Sequence, residues 1–394
     1  MSSMESVIIA GYARTPYCKM NGQLAGFSAV QLGAHAAKAA LAGANVHASH
    51  VEHVVVGQVL QAGAGQNPAR QTAIAAGVEA GVPSITVNSV CLSGADAVVQ
   101  GAHLIQLGLA AVVLVVGQES MSNAPHAWVG SRQGRKYGAV AMIDTLEHDG
   151  LTDAFSGESM GLATERSTAA LGTTRLAQDA FAAASHQRAA AARDWVDLEI
   201  EPIFVASKGG ETAISTDDGV RPEASVESLA KLRAAFTAEG SITAANSSQL
   251  TDGAAAIVLV SDSFAAAHGV TGLGRILSSA KVAGPDFSLN LQPANAIRAA
   301  LSSADKTVAD LTQVEINEAF AAVGVASAQS LGVDLARVNS SGGAIAIGHP
   351  IGSSGTRIVG HLARNLSRLG SGSLGAAGIC GGGGQGVGIL VEAL

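Results

Sequence analysis

The chain is poor in rings and in charge: of its 394 residues, 3% are aromatic and 14% charged. A core made of aromatic side chains is therefore excluded, and Ala, Val, Ile and Leu must supply it, with apolar surface left over for burial between subunits. Basic residues are in deficit, and the formal net charge of −8 argues against a nucleic-acid partner. The cysteines number three, Cys18, Cys91 and Cys380, an odd set that cannot pair fully. The start Met1-Ser2-Ser3-Met4-Glu5 lacks a basic stretch followed by an apolar one, so the expected compartment is a reducing cytoplasm. Long apolar runs are missing too. Leu109 to Val116 is about half the length that spans a bilayer and reads as a buried strand, with no membrane segment expected.

What is present is glycine, 48 residues without a collagen-like period, set at turns between apolar runs. At the usual size of about 100 to 200 residues per domain, the length suits two or three domains. Short β-prone runs at Val7 to Ala10, Val54 to Gly57, Thr86 to Asn88 and Ala111 to Val116 alternate with alanine-rich helical segments at Ala29 to Leu41 and Ala95 to Leu107. That alternation predicts an α/β fold. From about Ser122 to Ser248 the character changes: both tryptophans, Trp128 and Trp195, fall here, with an amphipathic helix over Gln178 to Arg193. The expected division is an N-terminal α/β half over 1–121, completed by about 249–272, a loop or lid domain over 122–248, and a C-terminal α/β half over 273–394.

The two α/β portions read as copies. Leu41-Ala42-Gly43-Ala44 followed by Val54-Val55-Val56-Gly57 matches Leu301-Ser302-Ser303-Ala304 followed by Val314-Glu315-Ile316-Asn317 without a gap, at an offset of about 260 residues. Each half then supplies a Val-Asn-Ser turn, at Val87-Asn88-Ser89 and Val338-Asn339-Ser340. A duplicated fold would place a site at the junction of its halves.

Three side chains carry chemistry. Cys91 lies after a strand pattern and before a helix, where bare backbone N–H groups can hold an oxyanion and the positive end of the helix is expected to lower the thiol pKa. His349, fixed between Gly348 and Pro350, has the constrained backbone of a base or oxyanion donor. Cys380 precedes Gly381-Gly382-Gly383-Gly384, which is not a phosphate loop, because neither Lys-Ser nor Lys-Thr follows. The two thiols divide the work best if one attacks an acyl carbon and the other moves a proton beside it. Asn317, at a strand end, can orient a water or donate to an oxyanion, although strand-end asparagines more often form turns. His47, His50 and His53 read as a solvated connector, and no metal site is expected.

Cys91-Leu92-Ser93-Gly94, Gly117-Gln118-Glu119-Ser120-Met121-Ser122, Asn317-Glu318-Ala319-Phe320-Ala321, Gly342 to Pro350 and Cys380 to Gly386 together resemble the signatures of the thiolase family, most closely its bacterial acetyl-CoA acetyltransferases. The resemblance runs from Val7 to the C-terminus. It implies a duplicated five-layered αβαβα thiolase fold with an inserted loop domain, usually a dimer of dimers. It further implies reversible Claisen condensation of acetyl-CoA, with coenzyme A thioesters as substrates and no bound cofactor. In that chemistry His349 deprotonates Cys91, the N–H groups of Cys91 and Gly382 hold the first oxyanion, Cys380 takes a proton from the second acetyl group, and His349 with a water on Asn317 holds the enolate.

The resemblance also implies coenzyme A contacts at Arg221, Ser228, Ala244 and Ser248, and apolar walls at Leu151, Met160 and Phe320. Two departures stand out. Ser159 precedes Met160 where many biosynthetic members carry His, and Pro285 to Pro293 lacks the family's Met-Gly-x-Gly-Pro run. Acyl-chain length is the property these departures bear on. A degradative 3-ketoacyl-CoA thiolase for longer chains and a non-catalytic coenzyme A or lipid carrier are the alternatives.

Overall fold

The computed structural model describes residues 5–207 and 209–394; Met1–Met4, part of the start read above for a targeting pattern, lie outside them. Nine of the strands among the described residues form the path of the main sheet: β1 Val7–Arg14, β2 His53–Gly57, β3 Ser84–Val87, β4 Val112–Glu119, β5 Thr251–Ser261, β6 Gly274–Ala283, β7 Gln313–Ile316, β8 Leu374–Gly381 and β9 Gln385–Glu392. They hydrogen-bond in the order β7-β8-β9-β6-β1-β5-β4-β2-β3.

The order contains the duplication. In the N-terminal half, β2 pairs in parallel with β3 and β4, while β4–β5 and β5–β1 are antiparallel. In the C-terminal half, β7 pairs in parallel with β8 and with Val338, while β8–β9 and β9–β6 are antiparallel. The halves join where Val7–Ile9 of β1 runs antiparallel to Gly274–Ile276 of β6. Local backbone repeats as well. Asn45 and Asp305, just past the helices Ala29–Gly43 and Gln292–Ser303, both have φ of 52°, a left-handed turn that Asn and Asp tolerate. One detail differs from the sequence reading. Val338 faces Val314 as Ser84 faces Val54, so the two Val-Asn-Ser runs are out of register with each other.

Strand side chains alternate between faces, and this alternation builds the layers. Val112, Leu114 and Val116 of β4 pack outward with the helix Ala29–Gly43, whereas Val113 and Val115 pack inward. On the other half, Leu374, Ala376 and Leu390 face the outer helices Gln292–Ser303 and Ala321–Leu331, whereas Ala377, Ile379 and Ile389 face inward. Between the inward faces lie the helices Ser93–Gln106 and Ser354–Leu369, whose Val98, Ile105, Ile358 and Leu362 belong to that shared core. The result is five layers, helix, sheet, helix pair, sheet, helix. The strand starts only at Val112; Leu109, expected within it, is exposed in the preceding turn.

The central helices meet backbone to backbone. A Cβ on Gly94 would stand 2.8 Å from Gly352 O, and one on Gly355 2.2 Å from Ala95 N. Glycine at these points lets the helix after Cys91 touch the helix after His349. The segment between β4 and β5 crosses to the opposite half: Phe181, on its helix Arg175–Ala191, belongs to the outer core of the C-terminal half. Among the described residues no helix is long and apolar enough to cross a membrane.

Candidate active site

Cys91, His349 and Cys380 line one cavity of about 310 Å³, with walls that are chiefly apolar. Leu151, Met160, Phe236, Leu289 and Phe320 contribute, with Ser248 among the few polar lining residues. Asn317 and Gly382 adjoin it.

Cys91 sits in a strained turn. Val90, a β-branched residue, is held at φ 55°, in the left-handed region such side chains avoid. Ser93 Oγ donates to Val90 O at 2.6 Å and accepts from Ser89 N at 3.0 Å, which closes the turn. The expected low thiol pKa is not found: burial pushes Cys91 up to about 12, and the charge of Glu119 adds to this, against the pull of the Cys91 and Gly382 N–H groups. The helix terminus is already occupied by a negative charge, for Asp96 in the first turn binds Ser89 Oγ and Lys281 Nζ. At rest Cys91 is therefore a thiol that needs a base. The two N–H groups that reach its sulfur are also placed to receive an oxyanion formed there.

His349, which lines the same cavity, has the chemistry of such a base. Burial and the nearby Arg357 pull its pKa from 6.5 down to about 4, so the ring is neutral at pH 7. Nδ1 lies 2.6 Å from Ser354 Oγ, and Asn317 Nδ2 is 3.5 Å from Nε2. Asn317 is fully buried, its N–H bonded to Gly378 O at 2.9 Å, and its Oδ1 has no protein partner. A bare buried carbonyl suits a water that donates one hydrogen to Oδ1 and the other to a substrate oxygen.

Cys380 pairs with Gly386 at the end of β8, and the glycine run makes the hairpin into β9, with Gly383 and Gly384 at φ 79° and 69°. A Cβ on Gly384 would stand 2.1 Å from Asp286 O. The turn therefore requires glycine, and it also carries the Gly382 N–H to Cys91. Burial, with Cys91 beside it, pushes the Cys380 thiol far above its ordinary value.

The remaining expected contacts divide. Ser248 Oγ donates to Ala319 O at 3.0 Å beside the cavity, whereas Arg221, Ser228 and Ala244 are exposed and do not line it. Arg221 N donates to His186 Nδ1 at 3.1 Å, Ser228 completes a capping box with Ser225, and Ala244 borders a separate depression with Leu232 and Arg233. Ser159 caps the helix Met160–Ala170 by accepting from Leu162 N at 3.3 Å. The sequence reading missed Phe236, Leu289 and Ser354. Phe236 stands edge-on to Phe320, ring centres 6.1 Å apart, and Leu289 lies in the segment already marked as unusual. Among the described residues no group of three or more His, Cys, Asp or Glu is arranged to hold a metal ion; His50 packs on Phe264 and His268 instead.

Residues 7–263 match the family model "Thiolase, N-terminal domain" and residues 270–393 the model "Thiolase, C-terminal domain". A probable acetyl-CoA acetyltransferase of Mycolicibacterium smegmatis is 49% identical over 98% of this chain and 100% of its own length. An acetyl-CoA acetyltransferase of Cupriavidus necator is 45% identical over 99% and 100%. A thiolase of Ascaris suum, solved with coenzyme A, superposes with a TM-score of 0.92 at 36% identity, over 99% of this chain and all of that one.

Proposed function

Because the chain belongs to the thiolase family, we propose that it is an acetyl-CoA C-acetyltransferase, joining two acetyl-CoA into acetoacetyl-CoA and free CoA through an acetyl-Cys91 intermediate. The observation that carries this reading is the meeting of Cys91, His349 and Cys380 in one largely apolar cavity. His349 Nε2 takes the Cys91 proton as sulfur attacks the thioester carbon, and the oxyanion rests on the N–H groups of Cys91 and Gly382. When that intermediate collapses, the departing CoA thiolate takes the proton of Cys380. The Cys380 thiolate then removes a methyl proton from the second acetyl-CoA. His349, still protonated, and a water on Asn317 hold the enolate while its carbon attacks acetyl-Cys91. Collapse returns the proton from His349 to Cys91, and every group ends as it began.

Leu289, Met160 and Phe320 crowd the end of the cavity beside Cys380, which supports a short acyl group. We read coenzyme A as lying outward along Ser248 toward Arg221, Ser228 and Ala244. The segment 122–248 acts in this reading as the covering domain between the halves 1–121, completed by 249–272, and 273–394. The β3 edge, with Ile85 exposed, supports assembly of copies, as a dimer of dimers in a cytoplasmic enzyme. Thiolysis rates on acetoacetyl-CoA and on longer 3-oxoacyl-CoA substrates test the assignment. The short substrate is expected to be preferred; preference for long chains would make this a degradative thiolase, and absence of turnover would leave a carrier.

A further inference from the structure

The loop carrying His349 is held at both ends by buried carboxylates. Near its start Ile345 N donates to Glu318 Oε2 at 3.0 Å, and Glu318 also accepts from Asn339 Nδ2 at 2.7 Å and Ser185 Oγ at 2.6 Å. At its end Gly352 N donates to Glu119 Oε2 at 3.0 Å. Glu119 comes from the other half, at the last position of β4, and has no exposed surface. The same carboxylate accepts from Val59 N at 3.1 Å and Leu60 N at 3.2 Å.

Those two residues lead to the nucleophile. Asn88 Nδ2 donates to Val59 O at 3.3 Å, and Asn88 Oδ1 accepts from Val90 N at 3.0 Å, directly before Cys91. A continuous set of bonds thus runs from the His349 loop through Glu119 and the 59–60 backbone to the Cys91 turn. Space for it is reserved as well, since a Cβ on Gly352 would stand 2.8 Å from Glu119 Oε2. Three N–H donors converge on the side chain, and an amide in its place would turn an NH₂ toward at least one of them.

We propose that Glu119 is a positioning residue for acyl transfer, setting Cys91 against His349 across the junction of the halves. The role rests on the thiolase reading above. The test compares wild type with Glu119→Gln by steady-state thiolysis of acetoacetyl-CoA and by rapid-quench mass spectrometry of Cys91 acetylation with acetyl-CoA. A misplacement of the reacting groups by an ångström costs about 100-fold, so kcat and the acetylation rate should fall together by that order. KM should stay within about twofold, because the residue touches no substrate. An inactive wild type would remove the thiolase reading itself. Active wild type with kcat retained in Glu119→Gln, even at lower thermal stability, would remove only the role of Glu119. Should that variant not fold, Asn88→Ala decides: a kcat loss of about tenfold at unchanged KM supports the linkage, and an unchanged kcat overturns it. If both variants fold, the double mutant should be no slower than Glu119→Gln alone, and additive losses contradict the proposal.

Discussion

His349 Nδ1 lies 2.6 Å from Ser354 Oγ, and that hydroxyl lies 3.1 Å from the Pro350 carbonyl, which can only accept. Both contacts are hydrogen bonds together only when the hydroxyl donates to Pro350 and accepts from Nδ1–H. The ring proton then sits on Nδ1 and Nε2 is bare, the tautomer that can take a proton from Cys91. Ser354→Ala should lower kcat for thiolysis by about tenfold with little change in KM, and Ser354→Thr should recover most of it. Equal activity in the alanine variant would mean that the tautomer is set elsewhere.

The two thiols are expected to fail at different steps. Cys91→Ser should abolish acyl transfer altogether, while Cys380→Ser should accept one acetyl group from acetyl-CoA and stall there. Intact-protein mass spectrometry reads both outcomes. A Cys380→Ser protein that carries no acetyl group on Cys91 would sink the division of labour.

Protonation of His349 should tax the fold in acid. Its pKa falls from 6.5 to about 4 in the folded protein, so between those values the unfolded chain binds more protons and stability declines as pH falls. The loss for this one residue approaches about 3 kcal/mol below pH 4. His186, also pulled to about 4, adds a slope of the same sign. Glu119, raised from 4.5 to about 7 by burial, works oppositely: between those values the folded protein binds the extra proton, so its contribution is lost as pH rises through that range. Replacing His349 with Asn isolates its share: the variant should lose less melting temperature than wild type between pH 7 and 5. Identical losses would contradict the assignment.

Packing at the central helices predicts a contrast between two glycines. A methyl group on Gly355 would meet the Ala95 backbone at 2.2 Å, whereas Gly43, at the end of its helix, has nothing within 4 Å. Gly355→Ala should destabilise by about 3 kcal/mol or prevent folding. Gly43→Ala should be neutral or stabilise by about 0.5–1 kcal/mol. Denaturant unfolding of the two variants measures the difference.

Chain-length preference should respond to Leu289. Truncation to Ala opens the cavity beside Cys380 and Met160, so the ratio of kcat/KM for a longer 3-oxoacyl-CoA to that for acetoacetyl-CoA should rise about tenfold. An unchanged ratio would assign the length limit to another wall.

Much of this was legible in residues. Short apolar β-prone runs marked the strands, and Cys91, His349 and Cys380 announced themselves because glycine-framed turns are unusual settings for a thiol or an imidazole. The charge state of Cys91 was not legible: proximity to a helix end suggested a thiolate, but burial dominates and Asp96 already occupies that end. Leu109 looked like strand because hydrophobicity does not report where pairing begins. Glu119 lay within a quoted motif without a role, since its meaning depends on Val59, Leu60 and Gly352, which only the fold assembles. Arg221, Ser228 and Ala244 lie outside the cavity for the opposite reason, as likeness assigns contacts to a long ligand that no single pocket contains.

The glycine contacts beneath the site bear on how this enzyme can change. Gly94, Gly117, Gly352 and Gly355 pack so closely that any side chain there collides, and the framework behind Cys91 and His349 admits almost no variation. The cavity walls Leu151, Met160, Phe236 and Leu289 are side chains that substitution can shorten or extend. New acyl specificities on this scaffold should therefore arise by editing these walls, while the chemistry behind them stays constant.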